Sequence, residues 1–532
     1  MLGYDFRATA SWNHVFNDIH ITNFFAGTEI NSTDRSKNYY QGWGMQYSMG
    51  EIPYYVYEFF KKGIEDGNNY YSLSQTRSRS AAFFANATYS YKGRYTVNGT
   101  ARYEGTNRMG KSRSARWLPT WNVSGAWNAH EEKFFSNLTS VLSHFTLKAS
   151  YSLTADRGPA DVTNSQAIIT SYSPYRPFTS IQESGLYIKE LENSELTYEK
   201  KHELNIGADM GFLNNRINLA VDWYKRNNYD LIGIVNTQGA GGQILKYANI
   251  ASMKSHGIEF TLSTKNIKTK DFNWNTDFIF SNAKNEVTDL KQNANVMELI
   301  SGNGFAKQGY PVRGLFSIPF VGLDKDGIPV IINEKGEATS TDINFQERQN
   351  TGFLKYEGPT DPTITGSLGN MFSYKGFRLN LFITYSFGNV IRLNPVFKAY
   401  YSDLTAMTRE FKNRWTLPGD EAKTNVPAIL SKRMYDSNED LKYAYNAYNY
   451  STERIAKGDF IRLKEISLAY DFPKAWINPL KLTDLSLKVQ ATNLFLIYAD
   501  DKLNGQDPEF FNAGGVASPV PRQFTITLRL GL

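Results

Sequence analysis

Residues 522–532 read Arg-Gln-Phe-Thr-Ile-Thr-Leu-Arg-Leu-Gly-Leu, an alternation of apolar and polar side chains that is typical of a β-strand with two different faces. The apolar face consists of Phe524, Ile526, Leu528, Leu530 and Leu532. The opposite face consists of Thr525, Thr527, Arg529 and Gly531. One such strand also occurs in soluble sandwiches, so the fold depends on how often the pattern returns along the chain.

The pattern returns most clearly in a hairpin at residues 83–104. On its first strand, one face consists of Phe83, Ala85, Ala87, Tyr89 and Tyr91, and the other of Asn86, Thr88 and Ser90. On its second strand, Tyr95, Val97, Gly99, Ala101 and Tyr103 lie opposite Thr96, Asn98, Thr100 and Arg102. Similar alternation occurs over 117–127, 145–153, 204–223, 258–280, 377–387 and 466–491. In a wide membrane barrel the apolar face meets lipid and the polar face lines the lumen, which predicts that Val97 points outward and Asn98 inward.

The composition indicates a membrane protein that crosses with strands rather than with helices. Of its 532 residues, 41% are hydrophobic and 14% are aromatic, yet the mean hydropathy of −0.46 is polar. A membrane-spanning helix needs an apolar run of about 18 residues or more, and the sequence contains no such run. In a membrane barrel only alternate residues meet lipid, so the average stays polar. We therefore predict an all-β fold, a transmembrane antiparallel β-barrel.

The connections between the predicted strands are alternately short and long. Short turns are predicted near 92–93, 213–215 and 375–376, and long segments at 29–78, 154–198, 286–362, 389–458 and 497–521. Because outer-membrane barrels have short periplasmic turns and long outer loops, the long segments are predicted to be extracellular. The pattern contains about 15 strands, and closed barrels of this class have an even number. We therefore expect further strands upstream of residue 1.

One strand changes phase along its length. Ile461 and Leu463 share a face, but Ile466 and Leu468 fall on the opposite parity. This shift predicts a β-bulge near Lys464 and Glu465, where one extra residue restores the apolar face.

The sequence offers no support for catalysis, for a metal or for another cofactor. The six histidines have no metal-ligand spacing, and no cysteine is present. Neither a nucleophile elbow nor a phosphate-binding glycine loop occurs. The formal net charge of +6 is spread over mixed charges, which does not favour a nucleic-acid partner. The short acidic stretch 324–327 is interpreted as a turn.

Several ordered blocks resemble the SusC/RagA family of TonB-dependent outer-membrane transporters. They include KHELNIGAD at 201–209 with FLNNR at 212–216, NIASMK at 249–254 with GIEF at 257–260, GYPV at 309–312, GPTDP at 358–362, RW at 414–415 with PGD at 418–420, GDFIRLK at 458–464, NLF at 493–495, DPE at 507–509 and PR at 521–522. Each block is weak by itself, but their order over nearly the whole chain is specific.

The resemblance implies a barrel of about 22 strands, of which residues 1–532 supply the later part. It implies that an N-terminal carboxypeptidase-like domain, a TonB box and a plug lie outside this stretch. It also implies an outer-membrane location in contact with lipid, a SusD-like surface lipoprotein as partner, and coupling to TonB-ExbB-ExbD through the missing N-terminal part. The expected cargo is an oligosaccharide or a peptide.

Aromatic residues in the long segments are the candidate binding residues. Aromatic rings beside amides and carboxylates suit sugar rings and peptide backbones, or the surface of a partner protein. The candidates are Trp43, Tyr54, Tyr55, Tyr400, Tyr401, Trp415, Tyr445 and Tyr448. The alternative is that these rings only pack the long loops against themselves or a partner.

Three functions remain open at this point. Active, TonB-dependent import by a non-enzymatic transporter is the function that the resemblance implies. A passive outer-membrane porin would need no plug. A secreted, β-rich carbohydrate-binding protein or lyase would be recovered without detergent.

Overall fold

The computed structural model describes residues 1–68, 70–158, 167–172, 183–237, 239, 245–401, 407–511 and 521–531. Its main feature is an antiparallel sheet of 15 strands in which neighbours in the chain are neighbours in the sheet. The strands are β1 (Leu2–Phe16), β2 (His20–Tyr40), β3 (Tyr71–Tyr91), β4 (Tyr95–Thr106), β5 (Trp117–Asn128), β6 (Leu142–Asp156), β7 (Glu199–Phe212), β8 (Ile217–Asn236), β9 (Leu245–Lys268), β10 (Phe272–Leu290), β11 (Ile364–Tyr374), β12 (Phe377–Phe387), β13 (Phe460–Asp471), β14 (Asp484–Ala499) and β15 (Gln523–Gly531). The prediction of an all-β fold with about 15 strands is confirmed.

The first strands are longer than predicted. From the sequence, alternation predicts strands over only about 3–13 and 19–28, before the long segment at 29–78. In the structure β2 and β3 stay in register from the pair His20 and Tyr91 to the pair Tyr40 and Tyr71, so the connecting loop shrinks to 41–70. Backbone pairing needs no apolar face, and the strand ends carry polar side chains that hide the alternation from the sequence.

The polar face of the hairpin formed by β3 and β4 is a ladder of side-chain hydrogen bonds. Asn98 Nδ2 donates to Thr88 Oγ1 at 2.6 Å, and Asn86 Nδ2 donates to Thr100 Oγ1 at 2.7 Å. On the other face Val97 is 54% exposed and pairs with Tyr89 across the two strands. The two faces therefore differ as the alternation predicted.

The predicted bulge in β13 is confirmed. Phe382 of β12 pairs with Glu465, and the next residue, Ile383, pairs with Leu463. Lys464 is thus the extra residue, and it reverses the parity of the strand at the position where the apolar pattern changes phase.

The chain divides into two compact units. The first comprises 1–126, 150–203 and 228–251, and the second comprises 127–149, 204–227 and 252–532. The first unit carries a small buried cluster of Met109, Leu118 and Tyr198. The second carries the large loops, whose side chains pack in two larger buried clusters.

The remaining elements are short and lie in the connections. The helices are α1 (Tyr57–Glu65), α2 (Arg113–Arg116), α3 (Val296–Ile300), α4 (Lys432–Ser437), α5 (Leu441–Asn449) and α6 (Lys474–Ile477). Small sheets pair Met45–Gln46 with Ile52–Pro53, Ile168–Tyr172 with Gly185–Glu190, Gly314–Ser317 with Lys355–Pro359, Val390–Arg392 with Ile455–Lys457, and Pro329–Ile332 with both Phe320–Leu323 and Ala338–Thr339. No helix in the described ranges is long and apolar enough to cross a membrane.

Candidate functional site

Two long loops of the second unit fold together into one body. The first loop (291–363) joins β10 to β11, and the second loop (388–459) joins β12 to β13. We refer to them together as the loop assembly. Its inner core contains residues from both loops, namely Ala294, Val296, Leu299, Ile300, Phe316, Ile318, Ile331, Leu354 and Ala447. Loops with a shared apolar core form a defined surface rather than a set of independent chains.

Arg392 joins the two loops at the centre of the assembly. Its side chain emerges from the second loop and donates through Nη2 to the backbone oxygen of Phe316 at 2.5 Å and to Ser317 Oγ at 3.0 Å. Through Nη1 it donates to the backbone oxygen of Ser451 at 2.8 Å. The residue is only 4% exposed, and burial lowers the pKa of its guanidinium to about 9. The planar donor fork therefore fixes the first loop against two parts of the second.

A third loop (500–522), which joins β14 to β15, is tied to the sheet by Arg462 of β13. Arg462 Nη2 lies 2.5 Å from Asp507 Oδ1 and 2.8 Å from Glu509 Oε2. Its side chain and that of Asp507 are largely buried, so water screens this pair less than a surface pair. The ion pairs hold residues 507–509 of the third loop against the N-terminal end of β13.

Two cavities lie beside this ion pair. The larger, of about 1000 Å³, is lined by Arg462 and Asp507 together with Asn493 of β14. The smaller, of about 650 Å³, is lined by Glu509, Asn389 and, among others, Arg313, Thr360, Ser386 and Lys464. Both volumes lie in the range of known ligand pockets, so each cavity could hold a small polar ligand or part of a longer one.

Each cavity contains a buried acceptor without a partner. Within the described part of the chain, the side-chain oxygens Oδ1 of Asn389 and of Asn493 are buried and accept no hydrogen bond. A buried carbonyl without a donor is unfavourable, and functional sites are one place where such groups occur. Because Asn389 and Asn493 line the cavities, rotation of either amide towards the cavity would let a sugar hydroxyl or a peptide N–H satisfy its oxygen. We take the two cavities as the candidate functional site.

Three of the aromatic residues predicted to bind ligand lie in the core of the second loop. Tyr401, Tyr445 and Tyr448 are buried there, and the Tyr445 hydroxyl donates to the backbone oxygen of Ala428 at 2.6 Å. Burial raises the pKa of Tyr401 to about 12 and also raises the pKa values of Tyr445 and Tyr448. In this conformation the three rings are closed off from a ligand, which favours the packing interpretation for them.

The other two candidates of the second loop lie nearer the surface. Tyr400 is exposed and stacks on Tyr435, with ring centroids 6.2 Å apart. Trp415 is half-buried, and its Nε1 donates to Glu421 Oε2 at 3.0 Å. Trp415 thus has a structural role in its turn, whereas a binding role for Tyr400 stays a prediction.

The three candidates of the first unit lie in the loop 41–70. Trp43 and Tyr55 both contact the ring of Phe60, at centroid distances of 5.3 and 4.9 Å. Tyr54 and Tyr55 are exposed. The structure thus brings Trp43 and Tyr55 together around one ring, and their contact with a ligand stays a prediction.

Asp420 closes the turn that carries Trp415. Its Oδ2 accepts hydrogen bonds from Thr416 N, Thr416 Oγ1 and Leu417 N, at 3.3, 2.9 and 3.1 Å. These donors, led by the Thr416 hydroxyl, lower the pKa of Asp420 from 3.8 to about 2.

The low pKa of Asp420 predicts how the turn responds to acid. Because the folded-state pKa lies below the ordinary value, the carboxylate stabilises the turn fully above pH about 4 and loses this effect as the pH falls towards 2. Hydrogen exchange of the Thr416 and Leu417 amides, corrected for intrinsic rates, should show constant protection from pH 8 to 4 and loss below. Asp420→Asn should reduce the protection at all these pH values. Protection that is already lost between pH 7 and 5 would contradict the assignment.

The residues of the two cavities were not singled out by sequence reasoning. Arg462 and Lys464 lie in the block at 458–464, and Asp507 and Glu509 in the block at 507–509, both of which carried the family resemblance. The order of these blocks along the chain does not indicate that they lie together in the fold. The available signal was that opposite charges lie in the blocks 458–464 and 507–509 near predicted strand ends.

The acidic stretch of the first loop is a turn, as predicted. Asp324 Oδ1 accepts from the amides of Asp326 and Ile328, both at 2.9 Å. Across the described ranges, no group of three or more histidine, aspartate or glutamate side chains has the arrangement of a metal site.

Comparison with known proteins identifies the family. The profile described as "TonB dependent receptor-like, beta-barrel" matches residues 2–494. A TonB-dependent receptor of Formosa agariphila is 26% identical over an alignment of 592 positions, which covers 99% of this chain and 53% of that receptor. The TonB-dependent receptor SusC of Bacteroides thetaiotaomicron is 26% identical over 515 residues, which cover 89% of this chain and 47% of SusC.

The fold comparison agrees with the sequence comparison. The structure of the RagAB peptide transporter matches with a TM-score of 0.78 at 22% identity, covering 99% of this chain and 55% of the other. The chain spans about half the length of the curated relatives it matches. The resemblance to the SusC/RagA family and the outer-membrane location are thereby confirmed. Because the profile covers nearly all of its residues, the chain belongs to the TonB-dependent receptor-like β-barrel family.

Proposed function

We propose that this chain is the barrel part of a transporter that imports oligosaccharides or peptides actively across the outer membrane. In this proposal the plug, the TonB box and the carboxypeptidase-like domain belong to the rest of the protein, and TonB-ExbB-ExbD supplies the energy. The barrel performs no chemistry on its cargo. Its loops capture the ligand, and displacement of the plug lets the ligand pass.

The observation that carries the proposal is the pair of cavities beside Arg462. Each cavity combines charged side chains with a buried amide oxygen that lacks a donor. Sugars and peptides both offer hydroxyl or N–H donors at close spacing. A peptide cargo also agrees with the name of one protein of similar fold, the RagAB peptide transporter.

We further propose that a SusD-like lipoprotein covers the loop assembly. Tyr400 and Tyr435 present stacked, partly exposed rings on the second loop, and aromatic residues are common at the centre of protein interfaces. The shared core of the loop assembly holds these rings in place before the partner binds, which lowers the entropy cost of association.

The test is uptake of labelled oligosaccharides and peptides by cells that produce the protein. Uptake should require the protein and should stop when the proton-motive force is collapsed. Asn389→Ala should weaken uptake affinity about tenfold, because it removes one hydrogen bond to the ligand. The matched control is Asn413→Ala, an exposed asparagine of the same loop, which should leave uptake unchanged.

Two results would contradict the proposal in different ways. Uptake that continues without the proton-motive force would indicate a passive porin. Energy-dependent uptake with unchanged affinity in Asn389→Ala, at equal surface amounts, would show that the cavities are not the ligand site.

A further inference from the structure

Two connections on the short-turn side of the sheet differ from the others. Most of these connections are brief, such as 92–94, 213–216 and 375–376. The first connector (129–141) and the second connector (472–483) are longer, and both fold into short helical turns in the second unit. A turn between two antiparallel strands needs only about two residues. Most residues of these two connectors are therefore not required to join the strands.

Each connector has one side packed against the protein and one side exposed. In the first, Phe135 is 2% exposed, whereas the preceding Phe134 is 57% exposed. In the second, Ile477 is 2% exposed and the preceding Trp476 is 63% exposed. Leu138 and Val141 add to the open side of the first connector. In each case the fold directs one large apolar side chain inward and its neighbour outward.

The outward side chains continue the apolar faces of the strands to which they are joined. The ring of Phe134 lies 6.4 Å from that of Trp127, which shares a face of β5 with the exposed Val123. The ring of Trp476 lies 6.4 Å from Phe472, which contacts Tyr470 on the apolar face of β13 at 4.9 Å. In a protein of the outer membrane these strand faces meet lipid.

We propose that both connectors lie in the headgroup region of the inner leaflet, with Phe134, Leu138, Val141 and Trp476 inserted among phospholipids. Tryptophan favours this region because its ring is apolar while its indole N–H bonds to water and headgroups, and the apolar Phe134, Leu138 and Val141 would contact the adjoining acyl chains. Lys133 directly precedes Phe134, and Lys474 lies two residues before Trp476, so each connector would also place a cation at phosphate level.

Lipid is the occupant that the structure favours over a periplasmic protein. The exposed rings are continuous with lipid-facing strands, since Phe134 contacts Trp127 of β5 and Trp476 is linked through Phe472 to Tyr470 of β13. Exposed apolar side chains on two different connectors would fix both the depth and the tilt of the barrel in the membrane, whereas a single anchor would leave the tilt free. This inference depends on the membrane location and not on the identity of the cargo.

The absence of cysteine from the sequence makes the test direct. Single variants Phe134→Cys, Leu138→Cys and Trp476→Cys are labelled with a nitroxide in the protein as it sits in isolated outer membranes. Collision rates are measured with oxygen, which concentrates in lipid, and with a water-soluble nickel chelate. The matched controls are Asn137→Cys and Asn478→Cys, which are exposed polar positions on the same connectors.

The three test positions should show an oxygen-to-nickel ratio several-fold above that of the controls. Nickel accessibility equal to that of the controls would place the connectors in water and overturn the proposal. Protection from both reagents would indicate a protein partner and would overturn it as well. If one variant fails to assemble, as judged by heat-modifiable migration, Val141→Cys replaces it.

Discussion

Replacing Arg392 by alanine is expected to open the loop assembly without unfolding the sheet. The substitution removes the guanidinium donor from the backbone oxygen of Phe316 and from the Ser317 hydroxyl, while the backbone oxygen of Ser451 keeps only the Arg454 amide. Ser317 and Ser451 are fully buried, so water does not replace the lost bonds. Unsatisfied buried groups cost about 1–3 kcal/mol each, and together with the cavity left by this buried side chain they suggest a total of about 3–5 kcal/mol.

The measurement for Arg392→Ala is hydrogen exchange at the amides of Ile318 and Thr452. These amides donate across the two loops, to Tyr450 and to Ile318. Their protection should fall by a factor of about a hundred or more, while amides within β12 keep theirs. Arg433→Ala, at an exposed arginine of the same loop, is the control and should change nothing. Unchanged exchange in Arg392→Ala would show that the apolar core alone holds the loops.

The second large effect concerns the two faces of β4. Val97→Arg places a charge on the face that meets lipid and should cost about 2–4 kcal/mol of barrel stability near the midplane. Asn98→Arg places the same charge on the polar face and should be tolerated, although it removes the hydrogen bond to Thr88. The pair is matched, since the positions are adjacent and the incoming residue is identical.

Unfolding in urea, followed by heat-modifiable migration, measures both variants. Val97→Leu is the control for a change of size without charge and should remain near the wild-type stability. Equal loss of stability in Val97→Arg and Asn98→Arg would reject the assignment of the two faces.

Local alternation made the sheet predictable. Because successive side chains of a strand point to opposite faces, Val97 and Asn98 could be assigned to the lipid face and the lumen face without knowledge of the neighbouring strands. The phase change around Lys464 located the bulge for the same reason. The alternation failed at the ends of β2 and β3, where both faces carry polar or mixed side chains and only backbone pairing continues.

The loops could not be predicted because their contacts are distant in sequence. Arg392 and Phe316 are 76 residues apart, and no periodic pattern connects them. The tyrosines of the second loop illustrate the consequence. Tyr400 and Tyr401 are adjacent and chemically identical, yet one is exposed and the other lies in the loop core. Aromatic content therefore identified the loops that could bind a ligand or a partner, but not which of their rings are exposed.

The same limit applied to the candidate site. Arg462, Asp507 and Glu509 come together only when the third loop folds back onto β13. Their sequence blocks are separated by more than forty residues, as the 45-residue separation of Arg462 and Asp507 shows. The family blocks therefore contain the residues of the candidate site, but their order in the sequence does not show that these residues are in contact.

A cysteine scan along β4 tests most directly the claim that this sheet crosses the outer membrane with lipid on one face. Single cysteines at positions 95–103 are probed in intact outer membranes with a membrane-impermeant maleimide. Because side chains alternate, we predict that Thr96→Cys, Asn98→Cys and Thr100→Cys react, whereas Tyr95→Cys and Val97→Cys stay protected until detergent is added. Uniform reactivity along the strand would contradict a lipid-facing sheet.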